Sequence, residues 1–405
     1  MRTVLQVNTT YNSGSTGRIT KEIGDNLIKN GYKSYIANGR SFVQNDPSVI
    51  KIGHAFDQQI HGLITRVFDA HGFGSGKATI EFLKKIDSIR PEIIHLHNIH
   101  GYYLHVGVLF DYLKKNKIPV VWTLHDCWAF TGHCTYFDSV GCEKWKTLCH
   151  HCPKTKAYPS SYVLDRSKNN YLLKKQLFNL PQSVHIVTPS NWLADHVKNS
   201  FLHGQPVSVI HNGVNLAAFS PLPKQLHTNT FDSGGKTMLL GVANTWDKRK
   251  GLDDFIELRK LLPETVLIFL VGLNRDQLQS LPEGIQGIER TANINELASL
   301  YAKAAVFINP TWQDNFPTTN IEALACGTPV ITYNTGGSPE AIDSETGFVV
   351  EKGNIQMLLE KINTVLQNGK SFYKDKCRKR AEIFFNKEDR YNDYISLYNK
   401  ILSNL

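Results

Sequence analysis

The sequence predicts an α/β chain of two doubly wound, parallel-sheet domains facing a cleft. Three observations predict it. Short β-rich runs alternate with helical runs of about ten residues, the rhythm of βα units and parallel sheets. The alternation occurs twice, in residues 1–215 and again in 237–385, separated by LAAFSPLPKQLHTNTFDSGGK (216–236), a stretch rich in Pro, Ser, Asn and Gly without periodicity, read as a linker. And 405 residues is long for one core and comfortable for two domains of about 150–200 residues each.

In chain order, the first series reads TVLQVN, ITKEIGDNLIKNG, SYIA, EIIHLHN, VGVLFDYLKKNK and PVVWTLHD. The second reads KTMLLGVA, GLDDFIELRKLL, TVLIFLVG, NELASLYAKA, AVFINPT, TNIEALACG and PVITYN. Residues 386–405 are expected to form a last helix that packs back onto the first domain. In such sheets ligands sit at the carboxyl ends of the strands, so the loops there are where chemistry is sought.

Hydrophobic residues make up 41% and charged residues 20%, which excludes a disordered chain. No window approaches the ~18 apolar residues of a membrane span. The opening MRTVLQVNTTYNSG has no apolar signal core and reads as a strand entering a loop, so the chain is read as cytoplasmic. Charge is uneven: residues 1–217 carry 24 Lys and Arg against 14 Asp and Glu, residues 218–405 carry 21 against 22. A basic first half suggests an anionic partner: nucleic acid, a phospholipid surface or a phosphorylated substrate. A merely soluble basic surface is the plain alternative.

Gly14 and Gly17 lie between the first strand and first helix, where a backbone can approach a phosphate at a helix N-terminus. The spacing is neither G-x-G-x-x-G nor a P-loop, which argues against a nicotinamide dehydrogenase and a P-loop enzyme. Lys248, Arg249 and Lys250 follow a strand of the second series and suit a diphosphate, Arg as a bidentate grip and Lys as a point charge. Further on, DNFPTTNIEALACGTPVIT sets two carboxylates, Asp314 and Glu322, either side of a helix start. A carboxylate accepts two hydroxyl hydrogen bonds at once, as sugar diols require.

KRKG (248–251) followed by ELASLYAKAAVFINPTWQDNFPTTNIEALACGTPVITYNTGGSPEAI (296–342) resembles the retaining family-4 glycosyltransferases of GT-B fold, with two Rossmann-like domains. VTPSNWLADHV (187–197), VIHNGVNLAAFSP (209–221) and the EIIHLHN and VVWTLHD pair extend the likeness over nearly the whole chain. Within that family the chain looks most like bacterial transferases of exopolysaccharide, capsule or O-antigen, the colanic-acid type among them. The resemblance implies a nucleoside-diphosphate sugar as donor, no cofactor and no metal for catalysis. It also implies a glycan or lipid-diphosphate-linked acceptor, no nucleic-acid partner, and peripheral contact with the anionic inner membrane face.

It further implies site residues. Lys250, with Arg249, would hold the diphosphate, Glu322 the ribose and Asp314 the hexose. Gly14, Asn315, Phe316, Pro317, Thr318 and Thr319 would complete the donor pocket. His125, at the end of a strand, would contact the hexose or the reacting face, and His97, Asn98 and His100 would shape the acceptor pocket. The chain departs from the family where Asp314 replaces the usual Glu and where GVAN (241–244) lacks the usual Arg. The alternative function is a non-catalytic nucleotide-sugar or glycan-binding protein, or a GT-B phosphorylase or epimerase. DRSKNNYLLKKQLFNL (165–180), with Tyr171, Leu172 and Phe178 among Lys168, Lys174 and Lys175, reads either as a membrane-facing helix or as an ordinary surface helix.

Five of seven cysteines fall in HDCWAFTGHCTYFDSVGCEKWKTLCHHCP, with histidines beside them. Cys149-x2-Cys152 has knuckle spacing, and Cys134 and Cys142 would complete a structural zinc site of four thiolates, although the Cys134–Cys142 gap is wider than usual. Free thiols and disulfides are the other two readings.

Overall fold

The computed structural model describes residues 1–41, 46–179, 184–221 and 233–404. Most of the expected linker, residues 222–232, lies outside them. The chain divides into two compact units, Met1–Ile210 with Tyr391–Leu405, and His211–Arg390.

The first unit runs β1 (Thr3–Asn8), α1 (Gly14–Lys29), β2 (Lys33–Asn38), β3 (Val49–Lys51), α2 (Ala55–Phe68), α3 (Gly76–Ile89), β4 (Ile93–Leu96), α4 (Val106–Asn116), β5 (Val120–Thr123), α5 (Ser167–Phe178), β6 (Val184–Thr188), α6 (Asn191–Lys198) and β7 (Val207–Val209). Its seven strands are parallel, in the order β3-β2-β1-β4-β5-β6-β7. Strands β4 and β5 are buried along their whole length, which explains their unbroken apolar runs. The amphipathic α1 buries Ile19, Ile23 and Leu27, one turn apart, against the sheet; such burial is worth about 1.5–3 kcal/mol per side chain.

The second unit runs β8 (Thr237–Val242), α7 (Leu252–Arg259), β9 (Val266–Val271), α8 (Arg275–Gln279), β10 (Ile285–Ile288), α9 (Ile294–Lys303), β11 (Val306–Asn309), α10 (Thr318–Ala325), β12 (Val330–Tyr333), β13 (Gly347–Val350), α11 (Ile355–Asn368) and α12 (Lys370–Phe384). Its parallel sheet has the order β10-β9-β8-β11-β12-β13. The order turns back between β8 and β11, so the loops leaving these two strands border the crevice where such sheets take ligands.

The final helix, α13 (Lys387–Ser403), gives Tyr391, Tyr394, Ile395, Leu397 and Tyr398 to a core cluster of the first unit, alongside Val4, Ile19, Ile23 and Leu27. Polar contacts pin it: the Tyr398 hydroxyl lies 2.6 Å from His95 Nδ1, and Tyr391 donates to Glu22 at 2.6 Å.

The exposure pattern of α5 bears on one sequence reading. In α5, Tyr171, Lys174 and Phe178 are buried, and only Lys168, Leu172, Leu173 and Lys175 of the basic and apolar set face outward. Half of the six residues that suggested a membrane-facing helix are therefore core, while Lys168, Leu172 and Lys175 remain on the exposed face of α5. Among the described residues no helix is long and apolar enough to cross a membrane.

Candidate active site

The β8 and β11 loops bring the two ends of the second unit's motif together. After β8, Asp247 caps a short turn by accepting from the Lys250 N–H at 3.1 Å. Gly251 then takes a positive φ of 79°, and a Cβ there would stand 2.3 Å from the Pro310 carbonyl oxygen. Only glycine lets the two loops approach this closely. Arg249 ties the loops further: its carbonyl accepts from the Trp312 N–H at 2.7 Å and its guanidinium donates to the Gln313 carbonyl at 2.9 Å.

The result is an ion pair. Lys250 Nζ stands 2.5 Å from Asp314 Oδ2, with the side chains 19% and 16% exposed. Asp314 Oδ1 also accepts from the Asn315 N–H at 2.9 Å. Burial pushes the Asp314 carboxyl upward, but the charges of Lys250 and Arg249 and these hydrogen bonds outweigh it and hold the group below the usual carboxylate range.

The segment from Asn315 to Thr319 carries the chain into α10. Asn315 and Phe316 are buried; Phe316 stacks on His211 at 4.8 Å, and its carbonyl accepts from Asn212 at 3.1 Å. Pro317 is the N-cap, and Thr318 and Thr319, half-buried, head the helix. Glu322 lies one turn in, 6% exposed, and accepts from the Tyr301 hydroxyl at 3.1 Å.

A loop not anticipated from the sequence supports all of this. Gly337 donates to the Asn315 carbonyl at 2.8 Å, and a Cβ on Gly336 would fall 1.7 Å from the Asp314 carbonyl oxygen. Beneath it, buried Asn320 bridges Asn309 Nδ2 at 2.8 Å and Ser338 Oγ at 3.0 Å. The glycine pair in NTGGSPE was the available signal.

In the first unit, His97, Asn98, His100, His125 and Asp126 gather beyond the carboxyl ends of β4 and β5. His97 Nδ1 and His125 Nε2 are 3.1 Å apart with stacked rings, and His97 Nε2 is 3.2 Å from Gln6 Oε1. Burial lowers both imidazoles, His125 to about 4, so both are neutral at pH 7.

The network then places the protons. Gln6 donates its Nε2–H to the Thr20 carbonyl at 3.0 Å, so its Oε1 accepts from His97 Nε2–H. His97 Nδ1 must then accept from His125 Nε2–H, and His125 keeps a lone pair on Nδ1.

His100 Nε2 pairs with Asp126 Oδ2 at 2.9 Å, and Asp126 Oδ1 accepts from the Trp128 N–H at 2.9 Å. Asn98 is held through its backbone, by Asn8 and by the hydroxyls of Thr9 and Tyr103. Gly14, exposed at a φ of 66°, is the first residue of α1. Sequence reasoning missed Gln6 and Asp126; nothing periodic marks either. No disulfide joins any of the seven cysteines, and those of the insert lie in the same unit, between β5 and α5.

Two family models match the chain. One described as Glycosyltransferase Family 4 covers residues 16–218, and one described as glycosyl transferases group 1 covers residues 236–368. The chain is 25% identical over 389 residues to the putative colanic acid biosynthesis glycosyl transferase WcaC of Escherichia coli K12, spanning 88% of this chain and 89% of the relative. It is 24% identical over 283 residues to a Campylobacter jejuni N,N'-diacetylbacillosaminyl-diphospho-undecaprenol α-1,3-N-acetylgalactosaminyltransferase, spanning 65% of this chain and 73% of the relative. Among solved structures, sucrose-phosphate synthase of Thermosynechococcus elongatus superposes with a TM-score of 0.76 at 18% identity over the full length of both chains. Anabaena Alr3699/HepE in complex with UDP does so with a TM-score of 0.67 at 14% identity, again over both full lengths. The fold is GT-B.

Proposed function

The chain belongs to glycosyltransferase family 4, of surface polysaccharide and O-antigen biosynthesis, and from that premise we propose a retaining transfer of a hexose from a nucleoside-diphosphate sugar to a lipid-diphosphate-linked glycan. The observation that carries this reading is the half-buried ion pair of Lys250 and Asp314 beside the start of α10, with Glu322 one turn inside it.

Glu322 takes the ribose hydroxyls on its carboxylate. Lys250, with the α10 N-terminus at Thr318 and Thr319, receives the diphosphate. Its ammonium is already fixed before the donor arrives, so negative charge developing on the leaving group meets a cation that need not reorganise. Asp314, on the same ammonium, accepts from the hexose hydroxyls. Arg249 acts less as a direct grip than as the strap that sets the loops, since its guanidinium is engaged by the Gln313 carbonyl.

In the first unit, His125 turns Nε2–H inward to His97 and offers Nδ1 as an acceptor for a sugar hydroxyl. Asn98, and His100 with Asp126, face the acceptor. The acceptor oxygen attacks the anomeric carbon on the side from which the diphosphate leaves. The C–O bond to the β-phosphate breaks, and the hydroxyl proton passes to the departing phosphate oxygen. No protein nucleophile and no metal enters. The Campylobacter jejuni relative is named for a diphospho-undecaprenol acceptor; together with the basic first half this supports work at an anionic membrane surface.

The test is to incubate the full chain with UDP- and GDP-hexoses and a short-chain polyprenyl-diphosphate glycan, in chelator and without it. Release of nucleoside diphosphate, and a product whose anomeric configuration by NMR matches the donor's, is the expected result. An inverted product, or donor binding with no transfer to any acceptor, refutes it.

A further inference from the structure

The insert between β5 and α5 has no strand and only three short 3-10 turns, at 128–130, 138–140 and 144–146. Four of its cysteines, Cys134, Cys142, Cys149 and Cys152, line one cavity of about 20 Å³, together with His133. That volume admits about one water-sized body. Cys127, buried nearby, does not line it. We propose that this cavity is a closed structural zinc site whose ligands are the thiolates of Cys134, Cys142, Cys149 and Cys152.

The sulfurs already engage one another and the backbone. Cys134 and Cys152 are hydrogen-bonded thiol to thiol. Backbone N–H groups are aimed at two of them, Gly132 at Cys149 and Lys154 at Cys152. Such donors to ligand atoms orient the ligands and stabilise their charge. The Cys152 donor comes from two residues on, inside the knuckle that starts at Cys149.

Two buried nitrogen groups point the same way. Zinc with four thiolates carries a net charge of −2, which a buried site must balance. Lys174 is 1% exposed, yet its ammonium donates to the carbonyls of Trp128 and Thr131 at 2.8 and 3.1 Å, not to a carboxylate. His133 is equally enclosed. Its Nδ1 is 2.5 Å from Asp69 Oδ1, while its Nε2, on the cavity side, has no hydrogen-bond partner. An imidazole fixed by a carboxylate on one nitrogen can give its other N–H to a thiolate of the same cavity.

Among the described residues no three His, Cys, Asp or Glu side chains stand close enough to hold a metal as they are. Zinc therefore closes the insert rather than filling a finished cage: Cys142 and Cys149, half-buried, are drawn onto the Cys134–Cys152 pair. Each thiol that binds releases its proton to water, and the metal supplies folding energy to a segment with little secondary structure of its own.

The full chain, purified in reductant without chelator, is analysed for metal. One zinc per chain is expected, released stoichiometrically by a mercurial thiol reagent, and replaceable by Co²⁺ with the absorption bands of tetrahedral thiolate ligation. Cys149→Ser and Cys152→Ser lose the zinc, whereas Cys127→Ser keeps it. The metal and Co²⁺ measurements need no variant, so a variant that fails to fold does not shield the proposal. A chain that carries no zinc and takes up none when Zn²⁺ is added overturns it, as does retention of zinc by both Ser variants.

Discussion

Removing Lys250 strands Asp314, and the cost can be worked from the geometry. Exposed ion pairs contribute about 0–1 kcal/mol, and breaking a fully buried pair by deleting one partner costs about 3–5 kcal/mol. With its two side chains 19% and 16% exposed, this pair belongs between those limits, and Lys250→Ala is expected to cost the second unit roughly 2 kcal/mol at pH 7. Asp314→Ala should cost about 1 kcal/mol, because the lysine stem can carry its ammonium out to water. The double variant should resemble Asp314→Ala, leaving a coupling of about 1–2 kcal/mol between neighbours.

The sign of the pH dependence follows from Asp314. Its folded pKa is depressed, so its stabilisation is full above the unfolded value of about 3.9 and fades as pH falls through the folded value. The deficit of Lys250→Ala should therefore shrink on acidification below about pH 4. Because the chain has two units, a local readout is required: hydrogen exchange of residues 310–325 in the three variants against pH. In turnover, Lys250→Ala should lose about 10²–10³ in kcat, as for other preorganised charge contacts. Additive single-variant effects, or a deficit that does not change with pH, would refute the pairing as an energetic unit.

Asp314→Ala should leave affinity for free nucleoside diphosphate intact while lowering turnover with the sugar donor; equal losses by calorimetry and by rate would move Asp314 out of the hexose pocket. Glu322→Gln should weaken binding of UDP or GDP about tenfold, since a carboxylate that accepts two hydroxyls becomes a weaker acceptor; unchanged titrations would reassign Glu322 to packing under Tyr301. His97→Phe keeps a ring against His125 but removes its Nε2–H acceptor, so kcat should fall while nucleotide affinity holds, and a variant with wild-type kcat would show that the His125 tautomer is irrelevant. His61 is fully buried and lowered by burial from 6.5 to about 4, so it adds to acid sensitivity. The unfolded chain binds the extra proton between those values, and stability drops by about 3 kcal/mol as pH falls through that window. His61→Asn should flatten the pH dependence of thermal melting between 6.5 and 4, and an unchanged slope would exclude His61 as a source.

The meeting of Lys250 and Asp314 beside the start of α10 was legible because these residues lie in contiguous segments. Lys250 and Asp314 are 64 residues apart, yet each ends a βα loop at the same turning point of one sheet, and the apolar runs show where those loops must be. The histidine cluster of the first unit is assembled differently. Gln6 reaches His97 across 91 residues and Tyr398 reaches His95 across 303, through side chains that interrupt otherwise apolar strands. No local period encodes such a network, so single histidines could be named from the ends of strands but neither their partners nor their tautomers.

Lys174 shows the same limit from the other side. A lysine among tyrosine, leucine and phenylalanine reads as a surface residue, because burying an ammonium without partners is too costly to assume. Here its partners come from a different segment: the carbonyls of Trp128 and Thr131, whose turn is formed by the cysteine insert, with the ammonium 3.4 Å above the Trp128 ring. Burial depresses the lysine to about 7, a cost that negative charge on the neighbouring thiols would offset. The insert and α5 thus depend on each other: the turn satisfies the lysine, and the lysine places a positive charge behind the thiols. Trp128 also donates its backbone N–H to Asp126, the partner of His100. The order of the insert therefore reaches Asp126 and His100 through a turn, not through a motif, and a reading confined to motifs had no means of joining the cysteines to them.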